Sequence, residues 1–185
     1  MKAVLTEIDG VLVIEPQVFE DARGFFFESF NQRIFGDLTG VTELFVQDNH
    51  SRSAKGVLRG LHYQVEQPQG KLVRVVRGAV FDVVVDIRVD SPTLGRWVAT
   101  ELTEENRRQV WAPAGVAHGY LVLSEMADLI YKTTDYYAPK FERCIRWDDI
   151  NLDIAWPLQE YGIRAPLLSE KDMKALSFVD QLSSR

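Results

Sequence analysis

The sequence predicts an all-β domain, an antiparallel sandwich or barrel with a few short peripheral helices. Three observations carry this expectation. Short runs rich in Val and Ile recur through the middle of the chain, each closed by turn residues. No helical periodicity alternates between them, which argues against a parallel, doubly wound sheet. The two segments with helical character lie outside that stretch, one before it and one after.

Taken in chain order, MKAVLTEIDGVLVIEP reads as an edge strand that could pair across subunits. SFNQRIFGDLTG is expected to form a short helix ending near Gly36 or Gly40. The polar QDNHSRS, holding His50, reads as a loop, with Gln47-Asp48-Asn49 either a turn or a set of groups able to read a base edge. LVRVVRG and AVFDVVVDIRV follow as strands, with Gly78 between them as a tight turn. In the first of these, Arg74 and Arg77 interrupt an apolar set, as in a strand with one solvated or site-facing side. DSPTLG is a turn cluster, and RWVATEL, RRQVWAP, HGYLVLS and ADLIYKTT are further strands. SEKDMKALSFVDQL reads as a second helix, opened by Ser169 with Asp172 three residues later, in the manner of a capping box.

Composition narrows the function. The chain has 185 residues, 46% hydrophobic and 26% charged, so it reads as one globular domain spanning 1–185. Cys144 is the single cysteine, which excludes an internal disulfide and a Cys-rich zinc site. Glu7 and Asp9 replace the charged-then-apolar pattern of a secretion leader, and no apolar run approaches the ~20 residues of a membrane span. A net charge of −6 with no basic stripe argues against nucleic-acid binding. The expectation is a cytoplasmic protein with no membrane partner.

Three histidines carry the candidate chemistry. His62 lies between a strand-like run and a loop, and His118 follows the Pro113/Gly115 turn. An imidazole titrates near neutrality, so a placed histidine can take or give a proton, although a lone one is more often structural. Gly56, five residues and His62 resemble the opening of the first cupin motif, and Pro113-x-Gly115-x-x-His118 resembles the second. That resemblance implies a small jelly roll around a pocket. Gln64 stands where a metal-bearing cupin has its second histidine, and no Glu follows at the expected spacing, so no metal is expected. Arg59, Lys71 and Arg23 suit an anionic ligand through charge-assisted hydrogen bonds, their alternative being solvated surface charge. Tyr131 and the pair Tyr136-Tyr137 are phenols that could return a proton to a carbanion or could simply pack.

The segments DARGFFFESFN, QDNHSRSAKGVLRGLHYQ, QGKLVRVVRGAVFDVVVDIRVDSPTLGRW, RRQVWAPAGVAHGYLVLS, YKTTDYYAP, WDDINLDIAWP and LSEKD occur in the order seen in dTDP-4-dehydrorhamnose 3,5-epimerases, and the chain resembles that family over nearly its whole length. The resemblance implies a metal-free, cofactor-free cupin jelly roll, homodimeric and cytoplasmic. It implies action on the nucleotide sugar dTDP-4-keto-6-deoxyglucose in dTDP-L-rhamnose biosynthesis, a route to lipopolysaccharide O-antigen.

By the same resemblance His62 is the base, Asp172 its charged partner that raises the imidazole pKa, and Tyr131 the proton donor on the opposite ring face. On spacing alone Asp172 would read as a helix cap. Lys71 matches a residue that could stabilise charge on O4, and His118 another substrate contact. Arg23 and Arg59 match positions at the diphosphate, and Glu28, Gln47, Asp48 and Asn49 others in the nucleotide-sugar site. Tyr137 matches the aromatic stacked on thymine, and Glu142 and Lys171 further binding positions. The resemblance leaves open that some contacts come from the partner subunit. Three other readings stand beside it: a sister enzyme that inverts only C3 or only C5, a non-catalytic nucleotide-sugar-binding cupin, and a metal-dependent cupin, against which Gln64 speaks.

Overall fold

The computed structural model describes residues 1–183. The strands are β1 (Lys2–Leu5), β2 (Leu12–Glu15), β3 (Val18–Asp21), β4 (Gly24–Phe27), β5 (Gln47–Ala54), β6 (Leu58–Gln64), β7 (Lys71–Arg77), β8 (Ala79–Asp86), β9 (Trp97–Thr103), β10 (Gln109–Ala112), β11 (Val116–Val122), β12 (Met126–Thr133) and β13 (Glu142–Cys144). The helices are α1 (Gln32–Thr39), α2 (Glu170–Met173) and α3 (Phe178–Ser183). Two antiparallel sheets face each other, in the orders β1-β2-β10-β7-β12-β5 and β13-β6-β11-β8-β9, and β3-β4 forms a separate hairpin. This is the expected jelly-roll architecture with three short helices. The predicted edge strand at the N-terminus is two strands, of which β1 is the sheet edge.

The core explains the sequence texture. Val73, Val75 and Leu129 of the first sheet meet Val80, Val84, Val116 and Val122 of the second in the space between them. The outer face of the second sheet is also covered. Val83, Val85, Leu61, Tyr63 and Ala117 pack there against Leu152, Phe178 and Trp156 from the C-terminal segment. A strand buried on both faces cannot alternate apolar with polar, and β8 accordingly reads as a near-continuous Val run. Asp82 is the exception in that run, and alternation aims it inward with Val80 and Val84. Outside the first sheet, Phe35 of α1 packs on Leu12, Ile14, Leu72 and Trp111.

α1 begins at Asn31, whose side chain accepts from the backbone N–H groups of Arg33 and Ile34, and stops at Gly40 with φ 73. Gly36, the other expected stop, lies inside the helix. Three further expectations are corrected. QDNHSRS is not a loop and Gln47-Asp48-Asn49 not a turn, because β5 pairs with β12 from Gln47↔Thr133 to Met126↔Ala54. The backbone ladder overrides poor strand propensity, and the polar side chains face a wet cavity on one side and solvent on the other. His62 is likewise inside a strand, β6. The predicted C-terminal helix is split, because Arg146 N–H donates to the Leu176 carbonyl and Ile145 bridges Leu176. That strand-like contact takes Leu176 out of helical geometry between α2 and α3.

Candidate active site

A cavity of about 340 Å³ opens between the two sheets, lined among others by Gln47, Asn49, Arg59, His62, Lys71, His118, Tyr131, Tyr137, Glu142 and Lys171. The register explains the gathering. On β5, Gln47, Asn49 and Ser51 share one face. Tyr131 of β12 lies between Asn49 of β5 and Val73 of β7. On the opposite sheet, His62 of β6 stands across from His118 of β11.

Arg59 and His62 are three residues apart, so strict alternation would send them to opposite faces. The β6–β11 pairing is irregular between His118 and Tyr120, and such an irregularity re-aims side chains. Glycines make it possible. A Cβ on Gly60 would lie 2.5 Å from Gly119 Cα, and one on Gly119 would lie 2.7 Å from the Arg59 carbonyl oxygen.

His62 Nε2 lies 2.6 Å from Asp172 Oδ1. Asp172 is held on its other oxygen by the Ser169 hydroxyl at 2.7 Å, and the Cys144 thiol donates to Oδ1 at 3.4 Å. Burial alone would raise the Asp172 pKa, but the hydrogen bonds from His62, Ser169 and Cys144 hold it down at about 2. The carboxylate is ionised at neutral pH, which fixes the proton of neutral His62 on Nε2. Nδ1 is then the nitrogen left with a lone pair, and no protein group among the described residues engages it. The carboxylate supports the His62 charge, as expected, but burial outweighs it and the imidazole pKa falls below its ordinary 6.5. This corrects the expectation of a raised value, and it leaves His62 neutral and basic at physiological pH.

Ser169 is the cap of α2 and Asp172 the partner of His62. Its backbone N–H donates to Ser169 Oγ at 3.2 Å, while its carboxylate turns to His62 and does not close a capping box.

Lys71 donates to the His62 carbonyl at 3.4 Å, and burial pushes its pKa down to about 8 although Glu142 and Asp82 oppose the shift. Burial also raises the Tyr131 phenol. At the mouth, Tyr137 Oη donates to Glu142 at 2.8 Å and Lys171 Nζ to its other oxygen at 2.7 Å. These bonds lower the Glu142 pKa against burial, and the carboxylate raises the Tyr137 phenol to about 12.

Three expected contact residues lie outside the cavity of this chain. Asp48 points to the outer face, where it pairs with Lys132 at 2.8 Å, because period-two alternation separates it from Gln47 and Asn49. Arg23 sits in the β3–β4 hairpin, 90% exposed and paired with Asp21. Glu28 follows that hairpin and accepts from Asn31.

Other groups escaped sequence reading. Buried Asp82 holds His118 Nε2 at 2.8 Å, and a lone acid within a Val run was its signal. Cys144 and Tyr120 left none, since only sheet register brings them in, whereas Ser169 was legible as the opener of α2. The site does not fit the usual cupin metal set. Gln64 spends its amide on the carbonyls of Gln67 and Tyr136 and its oxygen on Ala138 N–H, while Asp82 occupies His118. One trio of donors does converge, His62, Cys144 and Asp172, on the side of the imidazole away from its free nitrogen.

Residues 5–180 match the family model for dTDP-4-dehydrorhamnose 3,5-epimerase. The chain is 60% identical over 180 residues to the enzyme of that name from Pseudomonas aeruginosa, with 97% of each chain covered. It superposes with TM-score 0.93 on a Legionella pneumophila dTDP-6-deoxy-D-glucose-3,5-epimerase solved with dTDP-4-keto-L-rhamnose, at 52% identity over 98% of this chain and 96% of that one. A 3'-monoepimerase from Streptomyces bikiniensis in complex with dTDP-quinovose is also similar, with TM-score 0.88 and 34% identity over 99% of this chain and 91% of that one. Among the described residues no helix is long and apolar enough to cross a membrane.

Proposed function

The chain belongs to the dTDP-4-dehydrorhamnose 3,5-epimerase family, and from that premise we propose how its own residues carry out the double inversion. It converts dTDP-4-dehydro-6-deoxy-D-glucose to dTDP-4-dehydro-L-rhamnose. The C3 and C5 hydrogens both flank the C4 ketone, so removing either as a proton leaves an enolate, and returning a proton to the opposite face inverts the carbon. Neither step changes oxidation state.

One observation carries the reading: His62, paired with Asp172, lines the cavity from one sheet while Tyr131 lines it from the other. A sugar ring between the sheets would meet a base on one face and an acid on the other. His62 Nδ1 takes the proton, and Asp172 stabilises the imidazolium that results. Tyr131 returns a proton from the opposite face, and its phenolate is reprotonated by solvent. Protonated Lys71 stabilises the charge on O4, where a fixed cation in a dry site is most effective, and His118, held by Asp82, contacts the sugar. At the mouth, Tyr137 stacks on thymine, a contact of ~1–3 kcal/mol by analogy with single-strand binding. Arg59 meets the diphosphate, while Gln47, Asn49, Glu142 and Lys171 complete the nucleotide-sugar site.

The functional unit is a cytoplasmic homodimer of single domains spanning 1–185. The hairpin supports this, since it exposes Phe19, Phe25 and Phe26, the last 71% accessible, which suits burial against a second copy. Arg23 and Glu28, outside this chain's cavity, would then serve the second copy's site, as would Asp48. The edge strand β1 is a further pairing surface.

Incubation with the 4-keto-6-deoxy sugar nucleotide in deuterated water, followed by NMR, tests the reading. Deuterium at both C3 and C5, with a product reducible to dTDP-L-rhamnose, is the expected result. Label at one carbon alone would assign a single-position epimerase, a reading kept by the likeness to the 3'-monoepimerase. No label would leave a nucleotide-sugar-binding protein without turnover.

A further inference from the structure

Cys144 is a buried thiol that the epimerisation leaves unused, and the fold sets it against the dyad. β13 pairs with β6 so that Cys144 stands opposite His62. Its Sγ lies 3.4 Å from the Asp172 oxygen that also binds His62 Nε2 at 2.6 Å. A nitrogen, a sulfur and a carboxylate oxygen therefore converge from β6, β13 and α2, all within 4.8 Å of one another. We propose that this trio is an inhibitory site for a thiophilic divalent cation of the zinc class, which silences the enzyme by taking His62 Nε2. The silencing half of the inference rests on His62 being the base.

The donor set favours Zn²⁺ and its relatives Co²⁺ and Cd²⁺ over Mg²⁺ and Ca²⁺, which prefer oxygen alone. Bonds of ~2.0 Å to nitrogen and oxygen and ~2.3 Å to sulfur set tetrahedral donors roughly 3.3–3.5 Å apart. Cys144 and Asp172 already stand at that spacing, His62 and Asp172 must part by a fraction of an ångström, and His62 and Cys144, within 4.8 Å, close to the same spacing as the cation draws them in. The fourth position is left to water.

Charge also balances. The thiol gives up its proton to solvent, and the neutral imidazole moves its proton from Nε2 to Nδ1. A doubly charged cation, one thiolate and one carboxylate then sum to zero, which a buried cluster tolerates far better than a thiolate beside a bare carboxylate. The trio lies behind the His62 ring, whose side chain is 22% exposed against 2% for Asp172, so a cation enters as that ring moves aside.

The consequence is a matter of tautomer. With a cation on Nε2 the imidazole carries its proton on Nδ1, so the nitrogen left for the substrate has no lone pair. The nucleotide contacts lie elsewhere in the cavity, so binding should survive while turnover stops.

Titration of the chelator-stripped protein with Co²⁺ tests the site without reference to activity. The expected result is one ion per chain and a thiolate-to-cobalt charge-transfer band that is lost in Cys144→Ser and Cys144→Ala, with binding at least tenfold weaker in both. Zn²⁺ should lower kcat reversibly, leave dTDP binding unchanged, and require at least tenfold more metal in Cys144→Ala. No thiolate band, or equal inhibition in wild type and Cys144→Ala, overturns the site and marks an adventitious cation. A band with full turnover overturns the silencing and His62 as base together. Absence of turnover in the metal-free wild type would sink the epimerase reading by itself, while the cobalt spectrum would still decide the site.

Discussion

Replacing Asp172 by Asn isolates what its charge contributes to the dyad. The two side chains are isosteric, and the surroundings fix the amide's orientation. Oδ1 receives His62 Nε2–H and the Cys144 thiol, so the amide oxygen belongs there. The amide nitrogen then faces Ser169 Oγ, which can accept. The hydrogen bond and the His62 tautomer survive, and only the charge is lost. In the wild type the carboxyl is held at about 2 against an ordinary 3.8, which at ~1.4 kcal/mol per pKa unit makes its partners worth roughly 2.5 kcal/mol beyond the cost of burial. With His62 supplying between half and all of this, the imidazolium formed on proton abstraction loses ~1.2–2.5 kcal/mol, a factor of roughly 8–70 in kcat. Asp172 does not line the cavity, so KM should change little. The His62 pKa, already below 6.5 through burial, falls further without the carboxylate, and the acid limb of the kcat/KM profile moves to lower pH. The assay is steady-state kinetics with a coupled 4-keto reductase across pH 4–8 (roughly two units either side of an unperturbed imidazole), with deuterium wash-in as a second readout. A kcat within ~3-fold of wild type, or an acid limb moved to higher pH, would refute the argument, because ~3-fold is well under 1 kcal/mol.

Five further outcomes are expected. His62→Ala should abolish turnover and deuterium incorporation while dTDP affinity, read by calorimetry, stays within a few-fold; near-normal activity would remove His62 as the base. Tyr131→Phe should still exchange a sugar proton with solvent yet fail to complete inversion, and full epimerisation at the wild-type rate would exclude Tyr131. Lys71, held near 8, should give a descending limb of activity near that pH, and Lys71→Met should erase the limb and cost on the order of 10²-fold in kcat. The lowered Lys71 pKa means that at this site the unfolded chain binds more protons between about 8 and 10.5, so the thermal stability of the wild type relative to Lys71→Met should rise across that window. Gly119→Ala would set a Cβ 2.7 Å from the Arg59 carbonyl, so a loss of about 1–3 kcal/mol in denaturant unfolding is expected, with lowered kcat as His62 shifts. An unchanged unfolding midpoint would show that β6 and β11 are not so constrained.

The fold class was legible in the sequence because strands buried on one or both faces must carry Val and Ile in a recognisable rhythm, as in LVRVVRG and AVFDVVVDIRV. The motifs around His62, His118 and Tyr131 were legible for a similar reason, since they combine special backbone with reactive side chains over a few residues. β5 was not legible, because its polar side chains answer to a cavity and to solvent that only the assembled sandwich creates. The strand alternation that turns Asp48 to the face opposite Gln47 and Asn49 was not legible either, and the helix at 169–182 was broken by a contact with Ile145 and Arg146 that no local propensity announces.

By itself the amino-acid sequence determined an antiparallel β domain, its family and the identity of its reactive groups, since composition, periodicity and short motifs are local properties of the chain. The family resemblance already paired Asp172 with His62 across 110 positions, and only the tertiary structure decided that Cys144 joins them and that burial lowers an imidazole its carboxylate would raise. Those outcomes depend on sheet register and desolvation, which come into being only when distant strands pack together.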